Sequence, residues 1–305
     1  MVDAADQPKF DVEAWKKIFP YASLFHPNRP RHFNTTPPDS PLDLRKPAGE
    51  IICTPKDLIQ VIQVREEVAK KQRLVETSRS DVFVWGKGAP AKPFFTKVGG
   101  VPFRPRNIAW PVKDGKACTF LFQIYFGDSR DLLKHALPGD VLVAFGDGED
   151  FWADDKSMII EWYKADPEMK LWDAMDIPPR QFSVPELTGH RCRIAEYAES
   201  DEAFEKEGHS EIYLLNTVQA TKIGSESQWI QGSNLEKGEQ LFAAFSSINI
   251  KGAWPLVDVK DFAFAEGFKG YNGYQNELSF SMADVGCIYF IIDSRGKIRW
   301  EFQSY

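Results

Sequence analysis

The chain has 305 residues, 43% of them apolar and 27% charged, and its 44 Asp and Glu against 37 Lys and Arg leave a net charge of −7. That length fits two domains or one large one and can bury a core without disulfides or metals. The acidic balance argues against general phosphate-backbone binding, no apolar run approaches the ~20 residues of a membrane helix, and the first ten residues lack a basic-then-apolar leader.

The first 80 residues read as an arm followed by a helix. Asp11–Phe19 has a short apolar face of Trp15, Ile18 and Phe19. Eight of the 20 prolines then fall between Pro20 and Pro55, so this stretch should run extended, with His26, Arg29, Arg31 and His32 making it locally basic. Thr54-Pro55-Lys56-Asp57 is a helix start, and Leu58, Val61, Ile62, Val68 and Leu74 carry the helix over about 55–76.

From Asp81 the text turns to strands: Val82–Trp85, Thr119–Phe126, Val141–Phe145 and Met158–Tyr163, rich in β-branched and aromatic residues. A short helix capped at Asp128 or Ser129 runs to Leu137, residues 164–185 are loop, and Ile194–Gly208 holds a helical patch starting near Ser200. Leu278–Phe280, Cys287–Ile292 and Ile298–Phe302 read as strands, the last two joined by a hairpin turn at Ser294–Lys297.

A repeat underlies this order. Thr96-Lys97-Val98-Gly99 returns as Thr221-Lys222-Ile223-Gly224, and an aromatic strand begins 24 and 20 residues after each start. A glycine and a second buried strand follow (Gly139–Phe145, Gly286–Ile292), and Trp110-Pro111 is echoed by Trp254-Pro255. The expected fold is therefore β-rich α+β: two similar halves at 81–165 and 216–305, joined by 166–215 and preceded by the arm and helix of 1–80.

Chemical signatures are sparse. Gly86-Lys87-Gly88 lacks the third glycine of a dinucleotide loop, and Gly296-Lys297 lacks the upstream glycine of a P-loop. Ser129 is followed by Arg130-Asp131 rather than the small residue of a nucleophile elbow, so it reads as a helix cap. His190 and Cys192 share one strand face, with His209 as the nearest further ligand, short of a zinc set. The four cysteines lie 65 or more residues apart, as expected for a reduced, cytoplasmic chain without a cofactor. Asp147, Glu149, Asp150, Asp154 and Asp155 form an acidic loop, a solvated face or a weak cation site. Trp110, Gln123, Tyr125, Trp229, Gln231 and Trp300 combine aromatic and polar character on or beside strands, typical of binding anchors and of cores alike.

The same residues carry a resemblance. Lys97, Gly99, Gly100 and Pro102, then Trp110-Pro111, then Phe120, Leu121 and Gln123 resemble the first signature of the YwqG-like family, a bacterial domain of unknown function. Lys222, Trp229-Ile230-Gln231, Gly286, Trp300 and Gln303 are similar to its second. Ser225 and Glu226-Ser227-Gln228 depart from that pattern. Residues 120–125 are also similar to programmed cell death protein 2, a ribosomal-protein chaperone, without that family's zinc-binding cysteines. The resemblance implies a duplicated β-rich fold and partner binding, some family members being regarded as immunity proteins.

The expected function is a non-enzymatic, protein-binding module for a basic client, with no nucleic-acid or membrane partner. Two alternatives stand beside it: a small-ligand binder with a pocket between the halves lined by Trp110 and Trp229, and a hydrolase using the acidic loop. Gly99-Gly100 should make a tight turn with positive φ at Gly100.

Overall fold

The computed structural model describes residues 75–87, 89–154, 156–197, 221–225, 229–248, 280–283 and 286–304. The Pro-rich arm, Ser200–Gly208, His209, Trp254-Pro255 and Leu278 lie outside them, as does the helix at 55–76 except for its last two positions. There Glu76 already opens a strand.

Twelve strands follow in chain order: β1 Glu76–Lys87, β2 Lys97–Val98, β3 Val112–Lys113, β4 Lys116–Ala117, β5 Thr119–Tyr125, β6 Val141–Gly146, β7 Met158–Tyr163, β8 Leu187–Tyr197, β9 Lys222–Ile223, β10 Gln240–Ser246, β11 Cys287–Ile292 and β12 Ile298–Gln303. β3 and β4 form a small hairpin; the other ten form one antiparallel sheet in the order β12-β11-β10-β9-β1-β8-β2-β5-β6-β7. The protein is thus β-rich. The one helical element among the described residues is a six-residue 3-10 turn, Gly127–Leu132.

That turn shortens the helix expected to reach Leu137. Ser129 does not cap it: the residue is buried, its φ of −120° breaks the turn, and no side chain caps the start. A second correction concerns 166–215. Leu187–Tyr197, within the segment expected to connect the halves and overlapping the start of Ile194–Gly208, is an eleven-residue strand in the middle of the sheet; the helical start near Ser200 lies outside the described residues. Its polar text conceals it. Arg191 and Arg193 reach across to Asp81 of β1, with Arg193 bonding both carboxylate oxygens at 2.8 and 2.9 Å. Burial pushes the Asp81 carboxyl up, but these guanidinium hydrogen bonds outweigh burial and hold it below the usual range.

The ladder has a regular plan. β1 precedes β2 in the chain yet pairs with β9, and β8 precedes β9 yet pairs with β2. Val84 faces His190 midway along β1·β8; two residues before each, Val82 faces Lys222 and Thr188 faces Lys97. β5·β6 and β10·β11 each carry one register shift, at Phe120/Phe122 and at Leu241/Ala243.

Those bulges reverse the side-chain parity of their strands. Phe120 joins an outer cluster with Phe94, Phe103, Trp110, Val143 and Phe145. Phe122 turns to the opposite face, where its ring stacks on Phe245 of β10 with centroids 3.7 Å apart. Four strands separate β5 from β10 in the sheet, so a flat sheet would hold them about 24 Å apart at about 4.8 Å per strand. The sheet therefore folds back on itself. Phe126–Phe242, Phe122–Phe290 and Trp162–Phe242 contacts fill the space between its two ends.

Candidate functional site

The Thr-Lys-aliphatic-Gly signature does the same mechanical work twice. The Thr96 hydroxyl accepts the Tyr125 N–H at 3.0 Å, and the Thr221 hydroxyl accepts the Ser246 N–H at 3.1 Å. The Gly99 N–H donates to the Leu121 carbonyl at 2.9 Å, and the Gly224 N–H to the Phe242 carbonyl at 3.0 Å. Val98 and Ile223 are fully buried. The motif thus pins short strands β2 and β9 onto β5 and β10, supplying through a side chain some of the register that two residues of ladder cannot.

Lys97 and Lys222 are both buried, in different surroundings. Lys222 Nζ donates to Glu196 Oε1 at 2.7 Å. Lys97, 3% exposed, donates to the Val101 carbonyl. Burial pulls its pKa down to about 8, against a smaller upward pull from Glu186. The turn that places Val101 there uses Gly99 and Gly100, whose φ values of 60° and 70° agree with the expected tight turn.

Gln123 and Trp110 serve the outer cluster. Gln123 is fully buried; its Oε1 accepts the Phe103 N–H at 2.8 Å and its Nε2 donates to the Pro93 and Phe95 carbonyls at 2.8 Å. It clamps the 93–103 loop to the sheet. Trp110 Nε1 donates to the Cys118 carbonyl at 2.7 Å, and its ring meets Phe145 and Trp172 edge-on. Tyr125 is half-buried against Phe94 and Phe95.

Toward the C-terminus, Trp229 stacks on Tyr289 with centroids 4.2 Å apart. The Gln231 N–H donates to Gln303 Oε1 at 2.9 Å, and Trp300 is half-buried on β12 opposite Phe290. Trp110 and Trp229 therefore belong to two separate clusters of the described residues. Between β5 and β10 the space is filled by phenylalanine rings, Phe122 on Phe245 and Phe126 against Phe242. A crevice between Leu132–His135 and Gln240–Phe242 encloses about 10 Å³, room for one water.

One polar network carries no sequence signal of its own. Arg104, 1% exposed between two prolines, forks onto Glu161 at 2.6 and 2.9 Å and donates to the Ile108 and Ala109 carbonyls. The Tyr163 hydroxyl donates to the same Glu161 carboxylate at 2.6 Å. Such a network fixes loop 104–109 on the outer face of β7.

The remaining charge lies at the surface. Residues 128–176 hold thirteen Asp and Glu against five Lys and Arg, so they carry the acidity of the whole chain. Asp147 is tied to Lys113. Glu149, Asp150, Asp154, Asp166, Glu168 and Asp173 are exposed, and none forms an ion pair with a described residue. Among the described residues no three His, Cys, Asp or Glu side chains converge to hold a metal, so Asp147, Glu149 and Asp150 do not assemble a cation site there. The side chains of His190 and Cys192 lie outside the description.

No family model and no curated protein matches this chain. Among the described residues no helix is long and apolar enough to cross a membrane.

Proposed function

We propose that this chain is a cytoplasmic, non-enzymatic protein-binding module of the YwqG-like type, built by internal duplication, whose client is a basic protein. The observation that carries the reading is the exposed acidity within 128–176, where Glu149, Asp150, Asp154, Asp166, Glu168 and Asp173 stand in solvent with no ion pair to a described residue, while Asp131, Asp140, Asp147, Glu161 and Asp176 are paired. An acidic surface of this kind speeds encounter with a basic protein and repels nucleic acid. The duplication is supported by the matched bulges and by the matched pairing of β1·β9 and β8·β2. The signature residues are engaged in building the two halves, which leaves the surface as the place for function.

The test is purification of the tagged protein from its own cells at low and high salt, with mass spectrometry of what accompanies it. The expected result is one dominant basic protein in near-stoichiometric amount that is lost at high salt. A partnerless protein at low salt overturns the reading.

A further inference from the structure

We propose that the outer edge of β7 receives an extended, lysine- and arginine-bearing segment of a partner protein, which adds to the large sheet as a further strand. The proposal rests on the basic-client reading above and names where and how the client binds.

β7 ends the sheet at the first-half side, and among the described residues no strand lies beyond it. The phase of its ladder follows from one bond. Asp147 and Ser157 stand opposite each other at the start of β6·β7, and the Asp147 N–H donates to the Ser157 carbonyl. Bonded pairs alternate in an antiparallel ladder, so Ile159 and Glu161 turn their backbones toward β6 while Ile160 and Trp162 turn theirs outward.

This edge also lacks the guards that sheet edges ordinarily carry. Met158–Tyr163 has no lysine and no proline, and the β6·β7 register has no bulge. Its single charge, Glu161, is spent on Arg104 and Tyr163. The opposite edge is defended: β12 presents Arg299 and Glu301, with Arg299 paired to Glu239 at 2.6 Å.

Charge selects the occupant. Glu149, Asp150 and Asp154 lie just before β7, and Asp166, Glu168 and Asp173 just after it, all exposed; these six outnumber the three exposed lysines of the same flanks, Lys156, Lys164 and Lys170. A second copy pairing antiparallel along β7 would set the acidic loop before the strand against the acidic loop after its mate, like charge on like. A basic strand meets net attraction at both ends and, between them, backbone donors and acceptors that no described strand pairs with.

The probe is a fluorescent ten-residue peptide of alternating lysine and valine, titrated into the full chain at low salt and followed by anisotropy. Comparison peptides replace lysine by glutamate, or carry N-methyl groups on the bonding edge with the charge retained. The expected result is saturable binding of the lysine peptide. A tenfold or greater weakening is expected from N-methylation, from Ile160→Pro, and from the combined Asp150→Lys, Asp154→Lys, Asp166→Lys and Glu168→Lys variant. Proline at position 160 removes an outward N–H and no bond to β6; if that variant does not fold, the N-methyl peptide tests the same bonds on the unaltered protein. Equal affinity for the lysine and N-methyl peptides overturns strand addition while leaving the basic-client reading intact. Absence of binding overturns it too, with the co-purification result judging the client reading separately. A dimer in sedimentation that Ile160→Pro dissociates overturns it in favour of a second copy.

Discussion

Lys97 offers a quantitative check on the buried signature. Its amine sits beneath the Gly99-Gly100 turn with the Val101 carbonyl as its hydrogen-bond acceptor, and burial depresses its pKa from 10.5 to about 8. At about 1.36 kcal/mol per unit, holding it protonated in the folded state at pH 7 costs about 3 kcal/mol relative to the unfolded chain. The sign follows from proton counting. Between pH 8 and 10.5 the folded state binds fewer protons than the unfolded state, so stability from this group rises with pH. Between pH 7 and 9.5 the gain is about 2 kcal/mol, and Lys97→Met abolishes it. The assay is urea unfolding of both proteins at half-unit pH steps, read as the difference between them so that other titrating groups cancel. At pH 7 Lys97→Met should match or exceed the unaltered protein in stability, with the advantage shrinking as pH rises. A constant difference across the range would refute the reasoning, because it would mean that the amine stays protonated or hydrated in the fold.

Three further outcomes follow. Gln123→Ala strips one acceptor from Phe103 and the amide donor from the Pro93 and Phe95 carbonyls, and should cost about 3 kcal/mol in chemical unfolding; a cost below about 1 would show that the 93–103 loop is held by its aromatic contacts alone. Gly99→Ala would drive a Cβ into the Pro185 carbonyl oxygen and should cost about 3 kcal/mol or more, whereas Gly115→Ala, at φ 75° with open space around it, should cost about 1. Similar losses at the two sites would refute the collision. Cys287 is fully buried and its thiol is pushed up to about 12 by desolvation, so peptide mapping should show it unlabelled by maleimide at pH 8 until the chain unfolds; labelling under native conditions at the rate of exposed thiols would refute that burial.

Much of the sheet is legible in the amino-acid sequence. β5, β6, β7, β11 and β12 fall where β-branched and aromatic runs predict them; β5, β6 and β11 are buried almost throughout, while β7 and β12 are half-buried. β8 was hidden because its stability comes from cross-strand charge pairs with β1, which no local pattern records. The aromatic and glutamine candidates were visible as residues but not as roles. Gln123 looks the same in a sequence whether its amide meets a ligand or three backbone groups of its own chain. Arg104 gave no signal at all, since a buried arginine is defined by Glu161, which lies 57 positions away. The acidic loops were seen, while their placement at the two ends of an unguarded edge needed the strand order.

The exchange of β1 and β8 between the two ends of the sheet has a consequence for biosynthesis. As the nascent chain leaves the ribosome, β2 waits for Leu187 and Thr188 before its free side can pair, and β1 waits for β8 and β9 before either of its sides can. At about 5–20 residues per second, the roughly hundred residues between β2 and β8 take about 5–20 s to appear. Through that interval a polypeptide rich in phenylalanine would hold its first strands open, beside a β7 edge that its own sequence leaves undefended. A chaperone that shields early strands should therefore raise the soluble yield, and slowing translation before position 187 should lower it.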